Sequence, residues 1–248
     1  MRNLALTLAF DGSVFCGWQA QPNGTTVQQT LEHAIMRVTG THSRVTGCSR
    51  TDARVHARVF CCNFHTQSAI AAAKFPAALN FYLPPQMAVR ACQEVPQRFH
   101  ARYDCVSKTY RYHVRNTGIR DPFLIDRAVL EPFVLDEQLL HAQAQNFVGQ
   151  HDFASVCAAG SCVKSTTRTI TRFDVVREGD DVFFFVQADG FLYNMVRIMV
   201  GTLLDIAKGR LEPGCIPALL KTCDRNNAGV TAPAQGLMLW EVNYEQFP

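Results

Sequence analysis

The 248-residue chain reads as an α+β fold of two similar halves, each an antiparallel or mixed sheet with helices on one face and a central cleft between the halves. Three observations predict it. Short segments of alternating apolar and polar residues recur along the whole chain, as half-buried strands require. Between them lie segments whose apolar residues repeat at helical spacing. The same mixture, with antiparallel hairpin signals, occurs in both halves, which favours layered α+β packing over a doubly wound parallel sheet. The boundary falls near residue 105, giving an N-terminal half over 1–105 and a C-terminal half over 106–248, although no linker composition marks it.

In order, LALTLAF (4–10) alternates as a strand and ends at the turn Asp11-Gly12. Thr25 or Thr26 can cap a helix through Val27, Leu31, Ile35 and Val38, which Gly40 stops. A short segment, Val45 to Cys48, leads into a polar loop, and Val55 to His65 is the next strand. Ala69 to Tyr82 reads as a helix closed by Pro84-Pro85, followed by extended segments Met87 to Val95 and Val106 to Val114. Leu135 to Val148 is amphipathic and helical. Arg168 to Arg177 and Val182 to Ala188 form a hairpin around Gly179-Asp180. Leu192 to Ala207 is a strongly apolar helix, Cys215 to Thr222 another, and Leu237 to Tyr244 a final strand.

Composition excludes several classes. A content of 48% hydrophobic and 18% charged residues belongs to ordinary globular proteins, not to disordered or fibrous ones. The N-terminal MRNLALTLAFDGS is broken by Thr7 and Asp11, so it reads as a strand and not a signal peptide. The most apolar stretch, Met195 to Leu204, contains Arg197 and is too short to span a bilayer. A soluble, cytoplasmic protein with no membrane association is expected. The ten cysteines form no CxxC pair, so they read as reduced, small apolar core residues, and no metal is expected. Net charge is only +3, but the 24 basic residues comprise nineteen arginines and five lysines. The planar guanidinium suits bidentate phosphate contact and stacking on bases, although high genomic GC content would also enrich it.

Three segments carry chemistry. SRTDARVHA (49–57) packs Arg50, Asp52, Arg54 and His56 into one loop, with Arg58 just beyond. Such a cluster can be a solvated turn with local ion pairs. It can equally hold Asp52 ionised among cations, which suits a nucleophile better than a proton donor. Arg197 lies in FLYNMVRIMVGTLLDIA (191–207), apolar around its whole circumference, where a guanidinium needs an anionic partner. Asp205, eight residues on, is too far along the helix, which leaves Asp52, Asp189 or Asp174, or an outward-snorkelling side chain. In SKTYRYHV (107–114), Lys108, Tyr110 and Tyr112 share one strand face, and Thr109, Arg111 and His113 the other. Rings beside a lysine suit base stacking with a phosphate nearby, or simply core packing.

Seven motifs in order resemble the TruA family of tRNA pseudouridine synthases over nearly the full length. They are AFDGSVFCGWQAQP (9–22) with TVQQTLEHAI (26–35), SRTDARVHA, FHARYDCVSKTYRYHV (99–114), NFVGQHDFAS (146–155), KSTTRTI (164–170), GFLYNMVRIMVGTLLDIAKG (190–209) and APAQGLMLWEV (232–242). The resemblance implies an isomerase that detaches uracil from ribose, rotates it and rejoins it through carbon, with no cofactor and no metal. It implies Asp52 as nucleophile, on the sugar or on the base, with Arg197 as its ion-pair partner. It also implies Tyr110 as the ring that stacks on uracil and can assist proton removal. Arg50 would help open the stack, and Arg54, Lys108 and Lys164 would join Arg50 and Tyr110 in binding substrate, in a cleft that holds RNA. The implied partners are the tRNA anticodon stem-loop, at positions 38 to 40, and a second copy in a homodimer. The family's loop normally carries glycine where Ser49 and Arg54 stand, a residue type used for positive φ or close approach. A catalytically inactive RNA-binding protein of the same fold is the alternative reading.

Overall fold

The structure, a computed structural model, describes residues 1–160 and 163–245. Its strands and helices run β1 (Arg2–Phe10), α1 (Val27–Thr39), β2 (Val45–Gly47), β3 (His56–Thr66), α2 (Phe75–Asn80), β4 (Met87–Val95) and β5 (Cys105–Arg115). They continue as β6 (Val129–Leu130), α3 (Glu137–Ala144), β7 (Gly149–Asp152), β8 (Thr167–Glu178), β9 (Asp181–Ala188), α4 (Met195–Ala207), α5 (Ile216–Thr222) and β10 (Leu237–Tyr244). The class is α+β, and the strand pairing is mixed. The chain divides into two compact units, one of Met1–Val106 with the segment from Met238 onward, the other of Ser107–Leu237.

In the first unit β1 lies between β3 and β4, antiparallel to both. β3 also takes β2 antiparallel and β10 parallel, with Met238 opposite His56 and Leu239 opposite Ala57. Leu4, Leu6 and Leu8 of β1 and Phe60 and Phe64 of β3 are fully buried, and Trp18 stacks on Phe60 with ring centroids 4.2 Å apart. Thr26 caps α1 by accepting the Gln29 N–H, and Gly40 ends it at φ 76°. The helix buries Val27, Leu31 and Ile35, and its buried Glu32 accepts the Val45 N–H at 2.9 Å, so the acid on that face is satisfied.

In the second unit β9 lies between β5 and β8, and β7 follows on β8, all antiparallel. β6 adds a short parallel pairing to β5. Opposite residues Tyr110 and Val186, Tyr112 and Phe184, and Val114 and Val182 are all buried, which makes one face of the β5–β9 pair a core face. α4 is buried over most of its length, from Met195 to Ile206. Segment 229–232 closes directly onto it: a Cβ on Gly201 would sit 1.8 Å from the Val230 carbonyl oxygen. Thr202 Oγ1 accepts the Gly229 N–H at 3.0 Å, and Asp205 accepts that of Val230 at 3.1 Å.

Three helices are shorter than their sequence patterns. The expected 69–82 helix is a tight 3-10 turn, Ala72–Lys74, followed by α2, with Pro76 in its first turn. The 135–148 pattern yields α3 and then another 3-10 turn, Gln145–Phe147. α4 begins at Met195 and not at 192, because Asn194 before it is left-handed at φ 58°. Among the described residues no helix is long and apolar enough to cross a membrane.

Candidate active site

The loop between β2 and β3 is fixed by the turn that follows β1. Gly12 donates to His56 Nδ1 at 3.0 Å, Arg54 donates to the Phe15 carbonyl at 3.2 Å, and Trp18 donates to that of Thr51 at 3.0 Å. Both glycines of the turn are needed because the loop backbone runs against them. A Cβ on Gly12 would lie 2.1 Å from the Val55 carbonyl oxygen, and one on Gly17 2.6 Å from that of Thr51. The motif AFDGSVFCGW thus holds the aspartate loop, a role that sequence reading missed although its two glycines were the available signal.

In this loop Asp52 is half-buried, Arg50 and Arg54 are exposed, and His56 is buried. Thr51 is buried too, and its hydroxyl has no hydrogen-bond partner among the described residues. Arg54 stands at φ 69°, the left-handed region that glycine adopts freely, so the backbone conformation is the one a glycine would favour.

In the second unit, Tyr110 is buried on β5 and meets Phe191 edge to face, with ring centroids 5.0 Å apart. Lys108 is on the same face and also buried, whereas Lys164 is exposed in the segment before β8. Arg197 is half-buried on α4. Its Nε donates to the Ala232 carbonyl and its Nη1 to Asn194 Oδ1, each at 2.7 Å, and its own carbonyl accepts the Ala232 N–H at 3.1 Å. The side chain is therefore clamped between the helix start and the 229–232 segment. Asn194 was not among the expected site residues; asparagine's tolerance of a left-handed cap was its only signal. Burial pushes the Tyr112 hydroxyl well above its ordinary pKa, partly offset by the Arg197 charge, and that hydroxyl donates to the Pro233 carbonyl at 2.7 Å. It is a structural group tied to the same segment.

The sequence model of the tRNA pseudouridine synthase family matches residues 7–104 and 143–245, which include the Asp52 loop and the Arg197 helix. The chain belongs to the tRNA pseudouridine synthase family. It is similar to tRNA pseudouridine synthase A of Exiguobacterium sibiricum, 44% identical over 99% of this chain and 98% of that protein. The corresponding protein of Geotalea daltonii is 41% identical over 98% of this chain and all of its own length. That of Clostridium acetobutylicum is 42% identical with the same coverage. Members of this family are isomerases that form pseudouridine, and the full-length relatives carry that name.

No group of His, Cys, Asp and Glu among the described residues is arranged to hold a metal ion. The buried thiols of Cys61 and Cys62 have pKa values raised by burial, Cys61 to about 12, which keeps them protonated and unreactive near neutral pH. Cys162 lies outside the described residues.

Proposed function

We propose that the chain converts uridine to pseudouridine in the anticodon stem-loop of tRNA, with Asp52 as the nucleophilic carboxylate. The observation that carries the assignment is the loop itself. Asp52 is the one carboxylate in residues 43–58, and the loop is pinned by the Gly12–Gly17 turn with Arg50 and Arg54 exposed within it. Those guanidinium groups attract phosphate.

The reaction breaks the bond from uracil nitrogen to ribose and makes one from uracil carbon to the same sugar carbon. The carbon loses a proton and the nitrogen gains one, so the atoms balance without a redox partner or group donor. Asp52 supplies the nucleophile, Arg197 acts as its cationic partner, and Tyr110 is the ring that stacks on uracil and assists proton removal. The clamp of Asn194 and Ala232 supports the Arg197 role, since a guanidinium with two hydrogen bonds fixed has little freedom left to lose. Flipping the base costs a few kcal/mol, which pocket contacts must offset. Arg50 helps to open the stack, and Arg54, Lys108 and Lys164 take phosphate or base contacts.

A second copy of the chain completes the assembly. Ile119, Phe123, Ile125, Phe133 and Val134 are exposed within one stretch of sequence, Phe123 at 88%. So many large apolar groups exposed over one segment favour an association surface there.

Single-turnover assays test the reading. Asp52→Asn is expected to bind tRNA within about threefold of wild type, because the phosphate contacts are untouched. Its product formation is expected to fall by roughly four orders of magnitude or more, as for removal of a catalytic nucleophile. An Asn variant that still forms pseudouridine at an appreciable rate would remove Asp52 from the chemistry.

A further inference from the structure

The turn between β4 and β5, Pro96 to Asp104, is anchored from below by three side chains, those of Asn3, Asn63 and Tyr244. Asn3 Nδ2 donates to the Pro96 and Phe99 carbonyls at 3.1 and 2.9 Å. Asn63 Oδ1 accepts the Ala101 N–H at 2.9 Å, while its Nδ2 donates to Asn3 Oδ1 at 2.9 Å. Tyr244 donates to the Ala101 carbonyl at 2.6 Å and packs its ring near Phe99. Asn3 and Asn63 are buried, so their amides are committed to holding this turn in place.

What the turn presents outward is aromatic and cationic. The rings of His100 and Tyr103 stack with centroids 4.2 Å apart and planes 27° from parallel, and Tyr103 is 76% exposed. His100 Nδ1 accepts the N–H groups of both Arg102 and Tyr103 at 3.2 Å, and Asp104 Oδ2 accepts that of His100 at 2.9 Å. This fixes the imidazole under the phenol. Arg102 reaches to 6.0 Å from the Tyr103 ring centre, and Arg98 is exposed on the same turn. Two guanidinium groups stand against one carboxylate, which already accepts a backbone hydrogen bond.

We propose that this turn is a tRNA-contact surface separate from the aspartate loop, in which Tyr103 stacks on a nucleobase and Arg98 and Arg102 neutralise neighbouring phosphates. An exposed ring held rigid by a second ring loses little freedom on stacking, and the flanking cations supply the backbone attraction that single-stranded RNA requires. The inference rests on the tRNA substrate proposed above and adds to it a second point of grip.

The test measures tRNA affinity and steady-state kinetics for Tyr103→Ala, Tyr103→Phe, Arg98→Ala and Arg102→Ala. Loss of one stacked base predicts about tenfold weaker binding for Tyr103→Ala, expressed in KM and not in kcat, with Tyr103→Phe within about twofold of wild type. Each arginine variant is expected to lower the slope of log affinity against log salt by about one. Tyr103→Ala at wild-type affinity would overturn the proposal and leave the turn for another partner. A Phe variant as weak as the Ala variant would overturn stacking as the cause. Failure of the wild type itself to bind tRNA would reject the substrate reading, a result distinguishable from either.

Discussion

At the scale of single residues, two left-handed positions hold the interest. Arg54 at φ 69° bears a strain of about 1 kcal/mol that glycine would not. Arg54→Gly should therefore stabilise the fold by roughly 0.5 kcal/mol, the relief being partly offset by glycine's greater freedom in the unfolded chain. The same variant loses a cation beside Asp52, so its tRNA affinity should fall with a salt slope smaller by about one. Denaturant midpoints and salt titrations read the two effects separately, and an unchanged slope would take Arg54 out of phosphate contact. Asn194 at φ 58° offers its carbonyl to Arg197. A hydrogen bond to a charged group contributes about 1.5–3 kcal/mol, so Asn194→Ala and Asn194→Gly should both lower kcat by roughly tenfold or more. Only the Ala variant should also lose stability from left-handed strain. Wild-type kcat in Asn194→Gly would end the positioning role.

At the scale of elements, β5 and β9 carry a polar pair on the face opposite Tyr110. His113 Nε2 lies 2.8 Å from Asp181 Oδ1, and Arg115 donates to Asp181 Oδ2 at 2.9 Å. Burial pulls the His113 pKa below 6.5, and the Asp181 bond only partly restores it. The unfolded chain then binds a proton more readily than the folded one, so this contribution is intact above about pH 6.5 and is lost as pH falls below it. Thermal unfolding from pH 7.5 to 5 should lose less stability in His113→Gln than in wild type; equal losses would assign the pH dependence elsewhere.

The same pair illustrates what was legible in the sequence. Alternation in SKTYRYHV placed Tyr110 and Tyr112 on one face, and the register with Val186 and Phe184 agrees. β1, β3, β8 and β9 were equally readable because one face of each is apolar. β7, the polar segment Gly149–Asp152, and the two-residue β6 carry no such pattern and were not foreseen. The Asp52 loop and the Arg197 helix stand out in the sequence by charge crowding and by one arginine in a greasy helix. The clamp around Arg197 could not, because it depends on segment 229–232, distant in sequence, closing over Gly201.

At the scale of the whole molecule, two expectations go beyond family membership, a homodimer and a tRNA substrate. The exposed apolar stretch around Phe123 should be covered by a second copy. Wild-type protein should therefore sediment as a dimer at micromolar concentration, and Phe123→Glu with Val134→Lys should shift it to monomer while far-UV circular dichroism stays unchanged. A wild type that is monomeric at every concentration would leave that surface to some other partner.

Asp52 is proposed to drive uridine isomerisation in tRNA, and pseudouridine mapping of tRNA treated with wild-type protein and with Asp52→Ala decides the matter. Modification in the anticodon arm is expected from the wild type and should vanish in the variant. Modification surviving Asp52→Ala, or wild-type protein that binds tRNA and modifies nothing, would contradict it.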